Sequence, residues 1–336
     1  MGNVFASGPS PPIQGSQSFT QFLPQDGGDS TTSPPKSPPD NQQSATPSNN
    51  PGSMENLHRK CKDIFPMPFD GAKVVVNKML SNHFQISHNI VMGSGITPPG
   101  YRFGATYIGT REIATSEAYP IFSGEIDPTG NLNSRIIHLV GDRLKVQVGT
   151  QIQNSKCIAS QFTSDYIGND FTASLVFGNL DPINTSGVAV ASYLQNVTNN
   201  LSLGAELVCH YQSPAVNSVL SVAGRYTSPN DFVVSGTVNN SSVQFCYYQR
   251  KNENLQVGVQ VETNLTEPDS TASFGYQVDL PKSNFVFRGF VDTNWNVGGV
   301  FEKKLLPLPF TLLFSGLINH VKSQTRVGLG LYPNVS

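Results

Sequence analysis

From residue 71 almost to the end of the chain, apolar and polar residues alternate with a period of two. In residues 255–262, Leu255, Val257, Val259 and Val261 fall on one side, and Gln256, Gly258, Gln260 and Glu262 on the other. That is the spacing of a strand, whose successive side chains point to opposite faces. Leu144, Val146 and Val148 alternate in the same way with Lys145, Gln147 and Gly149, and Leu201, Leu203, Ala205 and Leu207 with Ser202, Gly204 and Glu206. Turn clusters such as Asp127-Pro128-Thr129-Gly130-Asn131 and Ser228-Pro229-Asn230-Asp231 separate the runs. The pattern predicts about nineteen strands between Gly71 and Tyr332, roughly one per 14 residues, the length of a tilted membrane-crossing strand and its turn.

The first 70 residues read differently. Residues 1–50 hold nine prolines and only four charges among many Ser, Thr, Asn and Gln, too little apolar surface to offset the entropy of ordering, which predicts a disordered tail. After Pro51-Gly52, Ser53 is placed to cap a short helix that runs to about Phe65 and is stopped by Pro66. Met54, Leu57, Cys61 and Ile64 share one face at helical spacing, and His58, Arg59, Lys60 and Lys62 make the remainder basic. About three turns do not persist alone in water, so this helix needs a surface: a membrane, a partner or the inside of a barrel. The expected divisions are a tail at 1–50, the amphipathic helix at 51–68 and the strands at 69–333.

Composition sharpens the reading of the strands. Charged residues make up 13%, about half of the ~25% usual for a soluble domain. The polar strand positions are mostly Ser, Thr, Asn, Gln and Gly, not the Lys and Glu of a water-exposed sheet, which tells against a soluble sandwich or propeller. Aromatics such as Tyr101, Tyr107, Phe171, Phe177, Phe285 and Trp295 fall near strand ends, as in a girdle at a lipid boundary. No run of 18 apolar residues offers a transmembrane helix, and no charged and then apolar N-terminus offers a secretory signal. Met1-Gly2 is followed by Ala6, not the Ser or Thr of a myristoylation start. Lipid offers no partners to free backbone groups, so a sheet within it must close. The fold class is therefore an all-β transmembrane barrel. An odd strand number would force one parallel pair, between the strand near Val74 and the one near Leu329.

Chemical motifs are few. A net charge of −2 with no basic tract excludes nucleic acid as a partner class. Cys61, Cys157, Cys209 and Cys246 are far apart, without metal-site spacing, and read as reduced apolar fillers. The six histidines form no ligand spacing, and no P-loop, nucleophile elbow or H-E-x-x-H occurs. The chain is expected to be no enzyme and to need no metal or other cofactor.

Several blocks carry a resemblance: MENLHRKCKDIFP at 54–66, GAKVVVNKMLSNHFQISH at 71–88, GNLNSRIIH at 130–138, and SFGYQVDLPKSNFVFRGFVDTNWNVGGVFEKKLLPLPFTL at 273–312. In order, spacing and turn residues the chain resembles the channel-forming subunits of the outer mitochondrial membrane translocase, relatives of the voltage-dependent anion channels in the mitochondrial porin superfamily. The resemblance implies a nineteen-stranded, multi-pass barrel in that membrane, surrounded by membrane lipid. It also implies a helix in the lumen, seated by Met54, Leu57, Cys61, Ile64 and Phe65, and a passive path for unfolded precursors. The implied partners are precursor proteins with basic presequences, a central receptor, small accessory subunits and a second copy of the barrel. A membrane-insertion signal matches at Arg326, Gly328, Leu329 and Leu331. Three positions depart from the pattern: Asn56 replaces an acid, Leu139 a glutamine, and Pro333 the last apolar member of the insertion signal.

Turning the apolar member of each strand outward assigns Glu125, Asp127, Glu206, Glu262, Asp279, Asp292 and Glu302 to the lumen, with Arg102, Lys145, Arg225, Arg288 and Arg326. On that list acids exceed bases by two. In a narrow conduit such an excess draws basic presequences and favours cations. The bland reading pairs these charges across neighbouring strands. Ile121 and Phe290 are expected under the helix, or else as apolar contacts for a passing chain. The alternative function is a metabolite porin of the anion-channel kind, which shares the fold and would have a more basic lumen.

Overall fold

A computed structural model describes residues 50–93, 99–114, 117–181, 186–212, 215–266 and 269–333. The tail expected at 1–50 lies, but for Asn50, outside the described residues. The first strands are β1 (Gly71–Ser81), β2 (Phe84–Met92), β3 (Gly100–Ala114), β4 (Glu117–Ile126), β5 (Leu132–Val140) and β6 (Leu144–Gln153). Next come β7 (Lys156–Ile167), β8 (Phe171–Asp181), β9 (Ser186–Thr198), β10 (Leu201–Gln212), β11 (Ala215–Thr227), β12 (Phe232–Asn239) and β13 (Ser242–Asn252). The last are β14 (Leu255–Asn264), β15 (Asp269–Leu280), β16 (Phe285–Asp292), β17 (Asn296–Lys304), β18 (Phe310–Asn319) and β19 (Gln324–Pro333).

The 19 strands form one sheet in which sequential neighbours pair antiparallel. β1 and β19 then close the cylinder in parallel, with Gly71 opposite Gly328, Ala72 opposite Leu329 and Val74 opposite Leu331. Alternating strand direction makes this pair parallel whenever the number is odd. Closure leaves no edge, the condition for a sheet in hydrocarbon. Odd-numbered strands run from the lower rim, where β1 begins, to the upper rim, where β19 ends.

Large apolar side chains such as Phe122, Leu203, Leu220, Phe245 and Phe274 are exposed on the outer face, the side that lipid covers. Aromatic rings follow one another around it: Tyr166, Phe171 and Tyr193 at 5.6–6.0 Å, then Tyr226, Phe232 and Tyr247 at 6.1–6.2 Å. A barrel of this strand number has room for a lumen, since barrels of 16–18 strands already enclose aqueous channels.

The seam depends on two glycines. Gly71 has a φ of +76°, and a Cβ there would collide with the carbonyl oxygen of Met92. A Cβ on Gly328 would strike the carbonyl oxygen and ring of Phe69. Gly328 therefore lets the chain pass over β19 on its way into β1.

Candidate functional site in the lumen

Residues 50–70 enter at the upper rim and descend along the inner wall. Asn50 Nδ2 donates to the carbonyls of Gly168 (2.7 Å) and Phe171 (3.0 Å), in and after the β7–β8 turn. Arg225 Nη2 donates to the carbonyl of Pro51 at 2.6 Å. Met54 and Leu57 cluster with Leu194 and Ala223 of the wall. Cys61 and Ile64 lie over Gly258, Phe65 over Gly275, and Phe69 over Gly328 and Gly330. The Phe69 amide donates to Ser315 Oγ at 2.9 Å. Ile64 is 1% exposed and Leu57 3%, burial worth about 1.5–3 kcal/mol for each such side chain.

The segment is not the continuous helix that its spacing predicts. Met54–Asn56 form a 3₁₀ turn and Arg59–Lys62 a single α-turn. Ser53 stands at the N-cap position, yet its side chain caps no backbone amide and instead accepts from Asn56 Nδ2 at 2.8 Å. Between the two turns His58 faces the wall, with Nδ1 2.8 Å from Ser235 Oγ and Nε2 2.8 Å from Thr237 Oγ1. Three turns of helix hold too little internal hydrogen bonding to resist such a pull. His58, assigned from the sequence to the basic face, is thus a buried wall contact. Arg59, Lys60 and Lys62 remain exposed to the lumen, and the Arg59–Asp63 pair, 3.6 Å apart with both side chains 68% exposed, adds little.

Cross-strand register fixes which wall residues share the lumenal face with Gly258. Gly258 aligns with Gly275 and Tyr248, and along the same rows stand Gln244 with Glu262, Ser273 with Asp292, and Arg288 with Val300. Followed round the barrel, the inward set includes Glu125, Glu206, Glu262, Asp279, Asp292 and Glu302. Glu125 accepts from Asn89 Nδ2 at 2.6 Å, and Glu262 from Gln244 and Gln260 at 2.9 and 2.7 Å. Glu206 faces Ser192 and Ser221, and Asp279 faces Val286. Glu302 pairs with Arg288 at 2.8 Å. Asp292, although inward, accepts from the amide and side chain of Asn296 (2.8 and 2.7 Å) and so shapes the β16–β17 turn.

Asp127 does not belong to this set. It lies in the β4–β5 turn beyond the last β4 residue and accepts from Thr129 Oγ1 (2.6 Å), the amides of Thr129 and Asn131 (2.9 Å each) and Asn131 Nδ2 (2.8 Å). The Thr129 hydroxyl foremost, and then the Asn131 groups, hold its carboxyl down to about 2. Parity counted past a strand end loses its meaning where the chain turns.

Without Asp127 the expected acidic excess falls from two to one, and the cross-strand register offsets the remainder. Among the described residues, register adds Lys73, Arg135, Arg250 and Lys304 to the inward bases already named, Arg102, Lys145, Arg225, Arg288 and Arg326, and adds Asp165 and Asp269 to the acids. Lys73 precedes three consecutive valines and Asp165 stands between Ser164 and Tyr166, so neither lies in an alternating run that marks its parity. Ile121 faces Ile108 and Ile137 on β3–β5, away from the lumenal segment, whereas Phe290 lies across from Gly275, the glycine under Phe65, with its own ring over Gly298. Arg326 and Gly328 face inward, with Leu329 and Leu331 on the outer row, and Pro333 ends the β18 ladder opposite Phe310.

Cys61 and Cys246 are both buried and unbridged. They meet where the segment crosses β13, a contact invisible to spacing.

The family model of the eukaryotic porins matches residues 50–328, the start of the lumenal segment through β19. The chain belongs to the eukaryotic porin family. Within it, this porin is 49% identical over 286 residues to the fruit fly protein "Mitochondrial import receptor subunit TOM40 homolog 2", covering 84% of this chain and 83% of that protein. The Xenopus tropicalis TOM40 homolog is 43% identical over 98% of this porin and 99% of its own length. The human TOM40 homolog is 44% identical over 84% and 78%. A mutant Rhodopseudomonas blastica porin has a TM-score of 0.43 at 12% identity, over 67% of this chain and 94% of that one, too distant a likeness to add weight.

Proposed function

We propose that this porin is a passive conduit for unfolded precursor proteins across the outer mitochondrial membrane, in which it sits as a multi-pass barrel. Kinship with import receptor subunits of the TOM40 type motivates the reading. The observation that carries it is the division of the lumen: the N-terminal segment is packed along β8–β15 and β18–β19, and toward the charged faces of β2–β7 it presents the Glu55 carboxylate, near Arg135, Lys145 and Asp165. That open face alternates Arg102, Glu125, Arg135, Lys145 and Asp165 with amides such as Asn89, Gln147 and Gln161. A mixed, hydrated surface contacts an extended chain without holding it.

Basic presequences are drawn in by individual carboxylates, Glu125, Asp165, Glu206 and Glu262, since the wall has no net acidic charge to offer. The sequence carries no nucleotide-binding motif, so direction is supplied by partners on either side: a central receptor and small accessory subunits, with a second barrel as neighbour.

The test is single-channel recording with a basic presequence peptide. Replacing Glu125 and Glu262 by Gln and Asp165 by Asn is expected to shorten peptide-induced blockades several-fold and to lower cation preference. Unchanged blockades would refute presequence attraction. An unmodified channel that selects anions would favour the metabolite porin instead, a reading to which the abundance of inward bases gives some footing.

A further inference from the structure

Three successive upper-rim turns differ from the rest of the barrel ends. The end of β13 carries Lys251, the β15–β16 turn Lys282, and the end of β17 carries Lys303 and Lys304; all four are exposed. The carboxylates here are Glu253 in the β13–β14 turn and, facing the lumen from the strand ends, Asp279 and Glu302. No ion pair between a carboxylate and any of the four lysines occurs among the described residues.

The turns are joined into one surface by backbone hydrogen bonds. The Asp279 amide donates to the Asn254 carbonyl at 2.8 Å, and the Lys304 amide to the Asn284 carbonyl at 2.9 Å. Strand spacing puts the first and last of these turns about 20 Å apart.

Lys303 lies across from Phe285 and Leu312, on the row that faces lipid. Below it Phe285, Phe301 and Phe314 follow one another at 5.5 and 6.5 Å. Beyond Lys304 the chain turns through Leu306-Pro307-Leu308-Pro309, closed by the Leu305 amide on the Phe310 carbonyl at 2.9 Å. Leu306 is 67% and Leu308 56% exposed. Cations on flexible stems above an aromatic row, beside protruding leucines, suit the boundary between headgroups and acyl chains. Among the described residues, the lower rim of the same sector presents Asp269 and Asp292 with one lysine, Lys322.

We propose that the upper-rim turns of β13–β18 form a binding site for anionic phospholipid, with Lys251, Lys282 and Lys303 on the headgroup phosphates and Leu306 and Leu308 among the acyl chains. The site rests on the barrel's lying in a bilayer, not on what passes through the lumen. It gives one sector of one rim a preference for negatively charged lipid.

The test is lipid binding to the purified full-length barrel by native mass spectrometry, with phosphatidylglycerol and phosphatidylcholine as probes. Lys251→Gln, Lys282→Gln and Lys303→Gln are combined in one variant; a control carries Lys78→Gln, Lys156→Gln and Lys322→Gln. The first variant is expected to weaken phosphatidylglycerol binding by about fivefold for each lysine removed, with phosphatidylcholine and the control unaffected. Leu306→Ser with Leu308→Ser is expected to weaken both lipids. The proposal is overturned if the first variant keeps its preference for phosphatidylglycerol, if the control loses as much, or if the leucine variant binds both lipids as before. Normal lipid binding with loss of a co-purifying protein would assign the patch to a protein and overturn it equally.

Discussion

The wall that carries the N-terminal segment and the wall that does not are built from the same alternating strands, yet their inward residues differ in kind. Beneath the segment stand Leu194, Ala223, Ser235, Cys246, Gly258 and Gly275, small or apolar except where Ser235 meets His58. On the open side stand Arg102, Glu125, Arg135, Lys145 and Asp165. A surface that receives another piece of chain must let backbone approach closely and exclude water, which glycine and small side chains permit. A surface that stays wet needs groups that water solvates. On the covered side Arg225 is engaged with the Pro51 carbonyl and Arg288 with Glu302, as low hydration demands, whereas Glu206 meets the like-charged Glu55 of the segment.

The comparison breaks first at the seam. Gly328→Val places a branched side chain where Phe69 lies, so β1 cannot be delivered beside β19; loss of assembled barrel is expected, read as failure to recover the heat-resistant folded species. Gly71→Ala is expected to do the same by its backbone strain and its clash with Met92. A smaller loss follows within the covered wall: Leu57→Ala or Ile64→Ala should each cost about 2–5 kcal/mol of segment anchoring, measured as faster amide exchange in residues 54–65 with the barrel strands still protected. Gly258→Leu should free the same segment by overfilling the wall, and equal protection in that variant would contradict the packing described. Glu302→Gln, which leaves half-buried Arg288 with Gln277 as its partner, should cost about 1–2 kcal/mol, seen as a lower midpoint in a denaturant melt. The equivalent change on the open wall, Glu125→Gln, should barely move that midpoint.

The smallest effect is expected outside both walls, at the β4–β5 turn. Because the Asp127 carboxyl is held at about 2 in the folded chain, below its ordinary ~3.9, its contribution is present above the ordinary value and is lost as pH falls through the folded one. A melt comparing the protein with Asp127→Asn should show a difference that shrinks between about pH 5 and pH 2; a difference constant across that window would rule out the turn as its source.

Much of the barrel was legible because a single physical rule wrote it. The period-two alternation located the strands, and the scarcity of charge identified lipid as the surroundings of one face. Glu125, Glu206, Glu262, Asp279, Asp292 and Glu302 could be assigned inward because each sits in or beside an apolar run. Asp127 could not be, since the Asx turn that occupies its carboxylate lies beyond the strand. The directions of Lys73, Arg135 and Asp165 are not legible in their own neighbours, because cross-strand partners fix them. Nothing in the spacing of residues 53–65 shows that His58 abandons the basic face.

What the sequence by itself determined is the cylinder: alternation and a solvent of lipid leave a closed sheet as the available solution, because every backbone amide must find a partner within it. What only the tertiary structure decided is how the inside is shared. Which strands receive the N-terminal segment, which glycines lie beneath it and which charges remain open depend on contacts between residues as much as 261 positions apart in the chain, as from Phe69 to Gly330. Local periodicity records only the face on which a side chain stands, and the occupant of that face is set by packing.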